Sequence, residues 1–295
     1  MASRLPDSSA ASAIGVVTVS YGSGSVLRGF LASVPQASTS KLRVVVVDNL
    51  PGPQAGADQL AAAAGVGYLP MENNVGYGAA MNAGVAALPP EIEWVLLSNP
   101  DVVLGAGSID VMVAVAEEDE RIAAVGPEIL TSEGEVYPSA RAVPSLRTGV
   151  GHALFVNLWV DNPWTRAYRT DASGPVERRD AGWLSGACLL VRRTRFEELG
   201  GFDPGYFMYF EDVDLGYRFG RHGYRNVYAP DAVVTHSGAH STTSDSERMI
   251  SAHHDSARRF LAQKYSGPWL WPIRVGLTIG LRLRSAIVRR RALRQ

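Results

Sequence analysis

A chain of 295 residues that is 46% hydrophobic can bury a large core, as one domain or two closely joined ones. The formal net charge of −1 conceals an asymmetry, because Trp269 to Gln295 carries seven arginines and no acid, leaving an acidic body and a basic tail. A single cysteine, Cys188, excludes an intrachain disulfide and disfavours a thiolate metal site, which fits a reducing, cytosolic setting.

Residues 1–13 (MASRLPDSSAASA) are small and polar without the apolar core of a signal peptide, and read as a disordered lead-in. Ile14 to Ser20 (IGVVTVS), Leu42 to Val47 and Trp94 to Leu97 are short β-branched runs separated by helix-compatible sequence. Continuous apolar strands alternating with helices predict an α/β fold whose parallel sheet is covered on both faces. In such sheets ligands collect at the carboxyl ends of strands, and polar residues follow each run: Tyr21 and Gly22, then Asp48 and Asn49, then Ser98, Asn99 and Asp101. Gly76 to Leu88 reads as an alanine-rich helix entered through a glycine turn. Thr131 to about Asp180 has no periodicity and predicts a long excursion over the sheet. Order returns with a buried strand over Trp183 to Arg192, a short helix ending at Gly200-Gly201, and a turn at Asp203-Pro204. Near the end, Arg274, Arg282 and Arg284 interrupt an apolar stretch well short of the roughly 20 clean residues a membrane span needs.

Each polar cluster has a chemical and an ordinary reading. Asp48-Asn49 can bind a base or a ribose, or form an Asx turn after a strand. In NNVGYGAAMNAG the helix start can offer backbone N–H groups to a phosphate or sugar hydroxyl, or be a capped glycine turn; no Gly-Lys-Ser/Thr follows, so it is not a P-loop. SYGSGS fails the dinucleotide pattern at Leu27, which disfavours a nicotinamide-dependent oxidoreductase. Asp101 in SNPDVVL can hold a hard divalent cation against a pyrophosphate, or sit in a plain turn. His236, closing AVVTH, reads on its own as a structural or surface histidine.

The stretch YFMYFEDVDLGYRFGRHGY, residues 206–224, carries more information. Glu211, Asp212 and Asp214 cannot all face one way on a regular element, so some point into a cleft while another caps the helix or pairs with Arg218. Acids in a first helical turn are favoured by the helix dipole. Tyr206, Phe207, Tyr209 and Phe210 nevertheless lower the local polarity and offer faces to a sugar, so a carboxylate among them can have a raised pKa and act as general base.

Taken in order, VVTVSY, VVVVDN, NNVGYGAAMNAG, LLSNPDV, WLSGACLLVRR, GGFDPGYFMYFEDVDLGYRFGRHGY and VVTHSGAHS resemble the family 2 glycosyltransferases, in particular their rhamnosyltransferase-like branch, over roughly residues 14–242. The resemblance implies a GT-A fold, with a Rossmann-like, mostly parallel sheet, a nucleotide-sugar donor, a divalent cation (Mg²⁺ or Mn²⁺) and inversion at the anomeric carbon. By motif, Asp48 would contact the base, with Ser20, Tyr21 and Asn49 at the same strand ends. Asn74, Gly76 and Asn82 would lie near ribose or diphosphate. Asp101 would be the remaining acid of the DXD metal motif, with Asn99 at its first position, and His236 would complete the metal shell. Asp212 matches the catalytic base, Glu211 would position it or the acceptor, and Trp183, Gly186 and Tyr209 would face the acceptor.

Two departures matter: DNLPGP lacks the serine and second acid usual after Asp-Asn, leaving thymidine versus uridine open, and Asn99 replaces a metal-binding carboxylate. The resemblance also implies dTDP-rhamnose as donor and a polyprenyl-pyrophosphate-linked N-acetylglucosamine as acceptor, in cell-wall polysaccharide synthesis such as an arabinogalactan linker. Residues 14–130 would then bind the donor and 131–242 the acceptor. The region 243–295 would associate peripherally with the cytoplasmic face of the plasma membrane, with Trp269 and Trp271 suited to the headgroups. A solvated basic terminus or a nucleic-acid contact is the plainer alternative for the tail, though nucleic acid is not an expected partner. Homo-oligomerisation stays open, since nothing selects a symmetry. Rival functions are transfer from UDP-galactofuranose or UDP-N-acetylglucosamine, and a catalytically silent module that binds nucleotide sugar or glycan.

Overall fold

The computed structural model describes residues 14–52, 56–145, 177–238, 246–272 and 275–276. The expected lead-in and most of the basic tail lie outside these residues.

The chain runs β1 (Ile14–Ser20), α1 (Gly24–Ser33), β2 (Leu42–Asp48), α2 (Ala57–Ala64), β3 (Gly67–Pro70), α3 (Tyr77–Ala86), β4 (Trp94–Ser98), β5 (Val102–Leu104), α4 (Ser108–Glu117) and β6 (Ile122–Leu130). It continues through β7 (Val136–Tyr137), β8 (Ala140–Arg141), β9 (Arg179–Ala181), β10 (Trp183–Leu184), β11 (Cys188–Arg192), α5 (Arg193–Glu198), α6 (Glu211–Arg221), β12 (Arg225–His236) and α7 (Ser246–Lys264). The main sheet has the order β3-β2-β1-β4-β11-β6-β12-β5. Its first four strands are parallel, as the apolar runs predict. Beyond them β11 enters antiparallel to both β4 and β6, while β12 returns parallel to β6. Strands from residues 14–130 and 131–242 therefore interleave in one sheet.

Both faces of that sheet are covered, which is why its strands read as unbroken apolar runs. On one face Val16, Val46 and Leu96 pack against Leu27 and Phe30 of α1 and Ile109 and Met112 of α4. On the other, Val17, Val47 and Leu97 meet Met81 and Val85 of α3 and Leu215 and Phe219 of α6. The register pairs Ser20 with Asp48 and Thr18 with Ser98, so the polar ends of β1, β2 and β4 lie side by side. His236 pairs with Val102, which brings the end of β12 to the residue after Asp101.

The predicted strand over Trp183 to Arg192 is in fact two. β10 leaves the main sheet to pair with β8, and β11 joins it only from Cys188. Between them the Gly186 N–H turns to a side-chain carboxylate instead of a strand neighbour. The segment from Thr131 holds the short strands β7 and β8, and residues 146–176 fall outside the described part.

Candidate active site

The crevice at the strand ends begins with β1 and β2. Ser20 Oγ and Asn49 Oδ1 are buried and have no hydrogen-bond partner among the described residues. Unpartnered polar atoms so deeply placed are uncommon in folded proteins and point to a group that completes them. Asn49 Nδ2 donates to the Gly76 carbonyl at 3.1 Å, tying the end of β2 to the glycine turn. Asp48 realises the Asx turn, accepting from the Leu50 N–H at 3.1 Å, and its other oxygen accepts from the Tyr68 hydroxyl at 3.0 Å. Burial and that carboxylate push the Tyr68 phenol up to about 12, so it stays a donor. Tyr21 and Leu50 flank these groups as exposed apolar side chains.

The glycine turn is built by Asn74, whose Oδ1 accepts from the Gly76 N–H at 3.0 Å. Gly76 has φ +88°, and a Cβ there would lie 2.3 Å from the Phe207 carbonyl oxygen. That close approach lets the Tyr77 N–H donate to the same oxygen at 3.1 Å. The Tyr77 hydroxyl donates to the Gly186 carbonyl at 2.6 Å. Its phenol is pushed far up by burial and by the nearby carboxylates of Glu211 and Asp212.

The aromatic loop before α6 carries the backbone strain of the site. Tyr209 and Phe210 adopt φ +66° and +68°, the left-handed region that non-glycine residues avoid. Their rings pack against His253 of α7 at 5.5 and 5.4 Å, and Ser256 Oγ donates to the Met208 carbonyl at 2.8 Å.

In the first turn of α6 the three acids divide. Asp214 accepts from Arg218 Nε at 2.7 Å, and that guanidinium also donates to the carbonyls of Leu199 and Gly201, so this acid holds the fold. Asp212 accepts from the Gly186 N–H at 2.9 Å through one oxygen and from the Val213 N–H at 2.8 Å through the other. Burial raises its pKa against the pull of those hydrogen bonds. Glu211 is only 7% exposed, and its Oε2 has no hydrogen-bond partner among the described residues. Burial, and then the charge of Asp212, push its carboxyl up to about 8. One acid beside another of like charge, away from water, is kept protonated at neutral pH.

Across the crevice, His236 Nε2 lies 3.0 Å from Asp101 Oδ1 and 3.3 Å from Asn99 Nδ2. One imidazole nitrogen can donate to the carboxylate or accept from the amide, not both. A cation between the imidazole lone pair and the carboxylate would relieve that conflict. A carboxylate and an imidazole, with positions left for phosphate oxygens and water, fit Mg²⁺ or Mn²⁺. No group of three or more His, Cys, Asp or Glu side chains suited to a metal occurs among the described residues, so an ion here would lean on its substrate. The Asn99 N–H donates to the Ala187 carbonyl at 2.9 Å. Residues 186 and 187 thus hold Asp212 on one side and the Asn99–Asp101 turn on the other.

The structure brings Ser20, Asp48, Asn49, Asn74 and Gly76 to one end of the crevice, and Asn99, Asp101, His236, Gly186, Glu211 and Asp212 to the other. The Asn82 amide donates to the Phe202 carbonyl at 2.8 Å and accepts from the Phe202 N–H at 2.9 Å, which braces the loop after α5. Trp183 donates from its indole to the Ala142 carbonyl at 3.1 Å. Tyr77, which sequence reasoning missed, links the glycine turn to Gly186, and the only signal for it was its place in NNVGYG.

A family model described as glycosyltransferase like family 2 matches residues 11–254. The chain is 45% identical over 291 residues to the N-acetylglucosaminyl-diphospho-decaprenol L-rhamnosyltransferase of Mycobacterium tuberculosis, covering 95% of this chain and 94% of that one. The mannosyltransferase PcManGT from Pyrobaculum calidifontis, solved with GDP-Man and Mn²⁺, superposes with a TM-score of 0.57 at 16% identity, covering 92% of this chain and 70% of that one. GalNAc-T7, solved with UDP, GalNAc and Mn²⁺, gives a TM-score of 0.55 at 17% identity over 77% of this chain and 44% of that one. These two likenesses concern the fold, which is that of the GT-A glycosyltransferases.

Proposed function

The chain belongs to glycosyltransferase family 2, and from that premise we propose that it transfers L-rhamnose from dTDP-rhamnose to a polyprenyl-pyrophosphate-linked N-acetylglucosamine, with inversion. The observation that carries this reading is the bracket at Gly186 and Ala187, which sets the carboxylate of Asp212 and the Asp101–His236 pair on either side of one crevice.

In this reading the nucleoside lies at the ends of β1 and β2, where Ser20 Oγ and Asn49 Oδ1 await partners. Asp212, its two oxygens oriented by backbone N–H groups, takes the proton of the acceptor hydroxyl. The acceptor oxygen forms its bond to the anomeric carbon as the bond from that carbon to the diphosphate breaks, and a single displacement inverts the centre. Asp101 and His236 would hold the divalent cation, with Asn99 beside it; when bound, the ion supplies positive charge for the departing diphosphate. Glu211, still protonated, offers an O–H donor to the sugars and adds no second negative charge beside the base.

No helix among the described residues is long and apolar enough to cross a membrane. Trp269 and Trp271 are 91% and 60% exposed, in a sequence segment (269–295) that carries seven arginines and no acid. Aromatic side chains beside clustered positive charge support peripheral attachment at an anionic, cytoplasmic leaflet, where a polyprenyl-linked acceptor resides.

The test is a donor panel. The enzyme is incubated with a synthetic N-acetylglucosaminyl-pyrophosphoryl lipid and, in turn, dTDP-rhamnose, UDP-galactofuranose or UDP-N-acetylglucosamine, with Mg²⁺, Mn²⁺ or EDTA, and product is followed by mass spectrometry. Product is expected from dTDP-rhamnose with metal. Product from a UDP-sugar alone would replace the donor, and full turnover in EDTA would overturn the cation.

A further inference from the structure

β8 and β10 form a two-stranded ribbon off the main sheet, in which Arg141 stands directly opposite Trp183. Two residues beyond β10, Gly186 donates its N–H to Asp212, so the ribbon ends at the base. Arg141 is held in place without a carboxylate: its Nε donates to the Pro138 carbonyl at 2.8 Å, and its guanidinium carbon lies 5.7 Å from the Tyr137 ring centroid and 5.8 Å from that of Trp183. Its two terminal nitrogens make no hydrogen bond or ion pair among the described residues. A fixed guanidinium with its outer donors free is prepared for a planar, bidentate anion contact.

The charge of Arg141 reaches the base, where it opposes the upward push of burial. It therefore lies on the Asp212 side of the crevice. The proposed reaction involves two diphosphates. The donor's falls to the Asp101–His236 pair, which leaves the acceptor's, attached to the same sugar that carries the attacking hydroxyl, in need of a cationic partner near the base.

Resting on the function proposed above, we propose that Arg141 binds the diphosphate of the acceptor and thereby places the acceptor hydroxyl on Asp212. Tyr137 and Trp183, both near the guanidinium, help to hold it in place and would offer aromatic faces to the attached sugar. The acceptor is then recognised as a glycosyl diphosphate and not as a bare glycoside.

The test compares two synthetic acceptors with the same sugar and lipid, one joined through pyrophosphate and one as a simple glycoside, using wild type, R141Q and R141K. For R141Q, kcat/KM on the pyrophosphoryl acceptor is expected to fall about 10- to 100-fold, the size of a lost charge-assisted hydrogen bond, while the rate on the simple glycoside falls by much less, through the lost influence on Asp212 alone. R141K should restore part of the loss. Equal losses on both acceptors, with a displaced acidic limb of the pH–rate profile, would mean that Arg141 only tunes Asp212 and would overturn the subsite; no loss on either would do the same. Titration of the pyrophosphoryl acceptor into wild type and R141Q in EDTA keeps this proposal separate from the activity. Weaker binding by R141Q supports the subsite even if no donor reacts, and equal binding overturns it.

Discussion

Asp212 and Glu211 are adjacent in sequence, yet their surroundings give them different chemistry. Asp212 has two backbone donors, while Glu211 leaves one buried oxygen without a partner among the described residues. The folded protein holds the Glu211 proton up to about pH 8, against an ordinary value of 4.5 for the carboxyl in an unfolded chain. Between those values the folded state binds a proton that the unfolded state has released, so stability falls as pH rises from about 5 to about 8. Thermal melts across that window should show Tm declining in wild type and declining less in E211Q. A smaller residual slope should remain, because Asp212 is shifted in the same direction. Parallel slopes for the two proteins would show that Glu211 is already ionised. The sequence located these acids and suggested that one would pair with Arg218, because an i,i+4 pair is local. The resemblance assigned Asp212 and Glu211 different roles, but the residues alone did not show what holds Asp212, since that group is a backbone N–H 26 positions away.

At the scale of elements, the site depends on three segments pressed together: the glycine turn before α3, the aromatic loop before α6 and the break between β10 and β11. Gly76 makes the closest approach, and alanine there would meet both an unfavourable positive φ and the Phe207 carbonyl. G76A is expected to lose on the order of 1–3 kcal/mol of stability in denaturant titration and to lower turnover by displacing Tyr77 from Gly186. Wild-type stability and rate in G76A would contradict this packing. The glycine turn, the helix after it and the strands β1, β2 and β4 were legible because their signals are local, whereas the short β3 was not read. The break at residues 185–187 was not, because an apolar run such as WLSGACLLV looks the same whether its first residues pair with one strand or with another. The antiparallel entry of β11 was hidden for the same reason, as its partners are set by the fold and not by its own composition.

For the whole molecule, the proposed reading gathers donor, cation and base at the strand ends and has the region after α7 meet the membrane. α7 connects the two, since Ser256 and His253 lie against the loop before α6 while Trp269 and Trp271 stand exposed a few residues beyond its end. In vesicle sedimentation with anionic phospholipid, the double variant W269S/W271S is expected to partition less than wild type, and added salt should weaken both by screening the arginines. Unchanged partitioning would count against attachment through this region. The α/β architecture and the order of the motifs were readable from residues 14–242, whereas the course of 131–180 was not, because a segment without hydrophobic period gives no element to place.

The central claim is that Asp212 removes the acceptor proton in this crevice, and turnover of D212N tests it most directly. With dTDP-rhamnose, the pyrophosphoryl acceptor and saturating Mg²⁺ or Mn²⁺, D212N is expected to turn over at least ~100-fold more slowly than wild type, the usual contribution of a general base, while melting at no lower a temperature. Near-normal turnover by the folded variant would contradict the assignment.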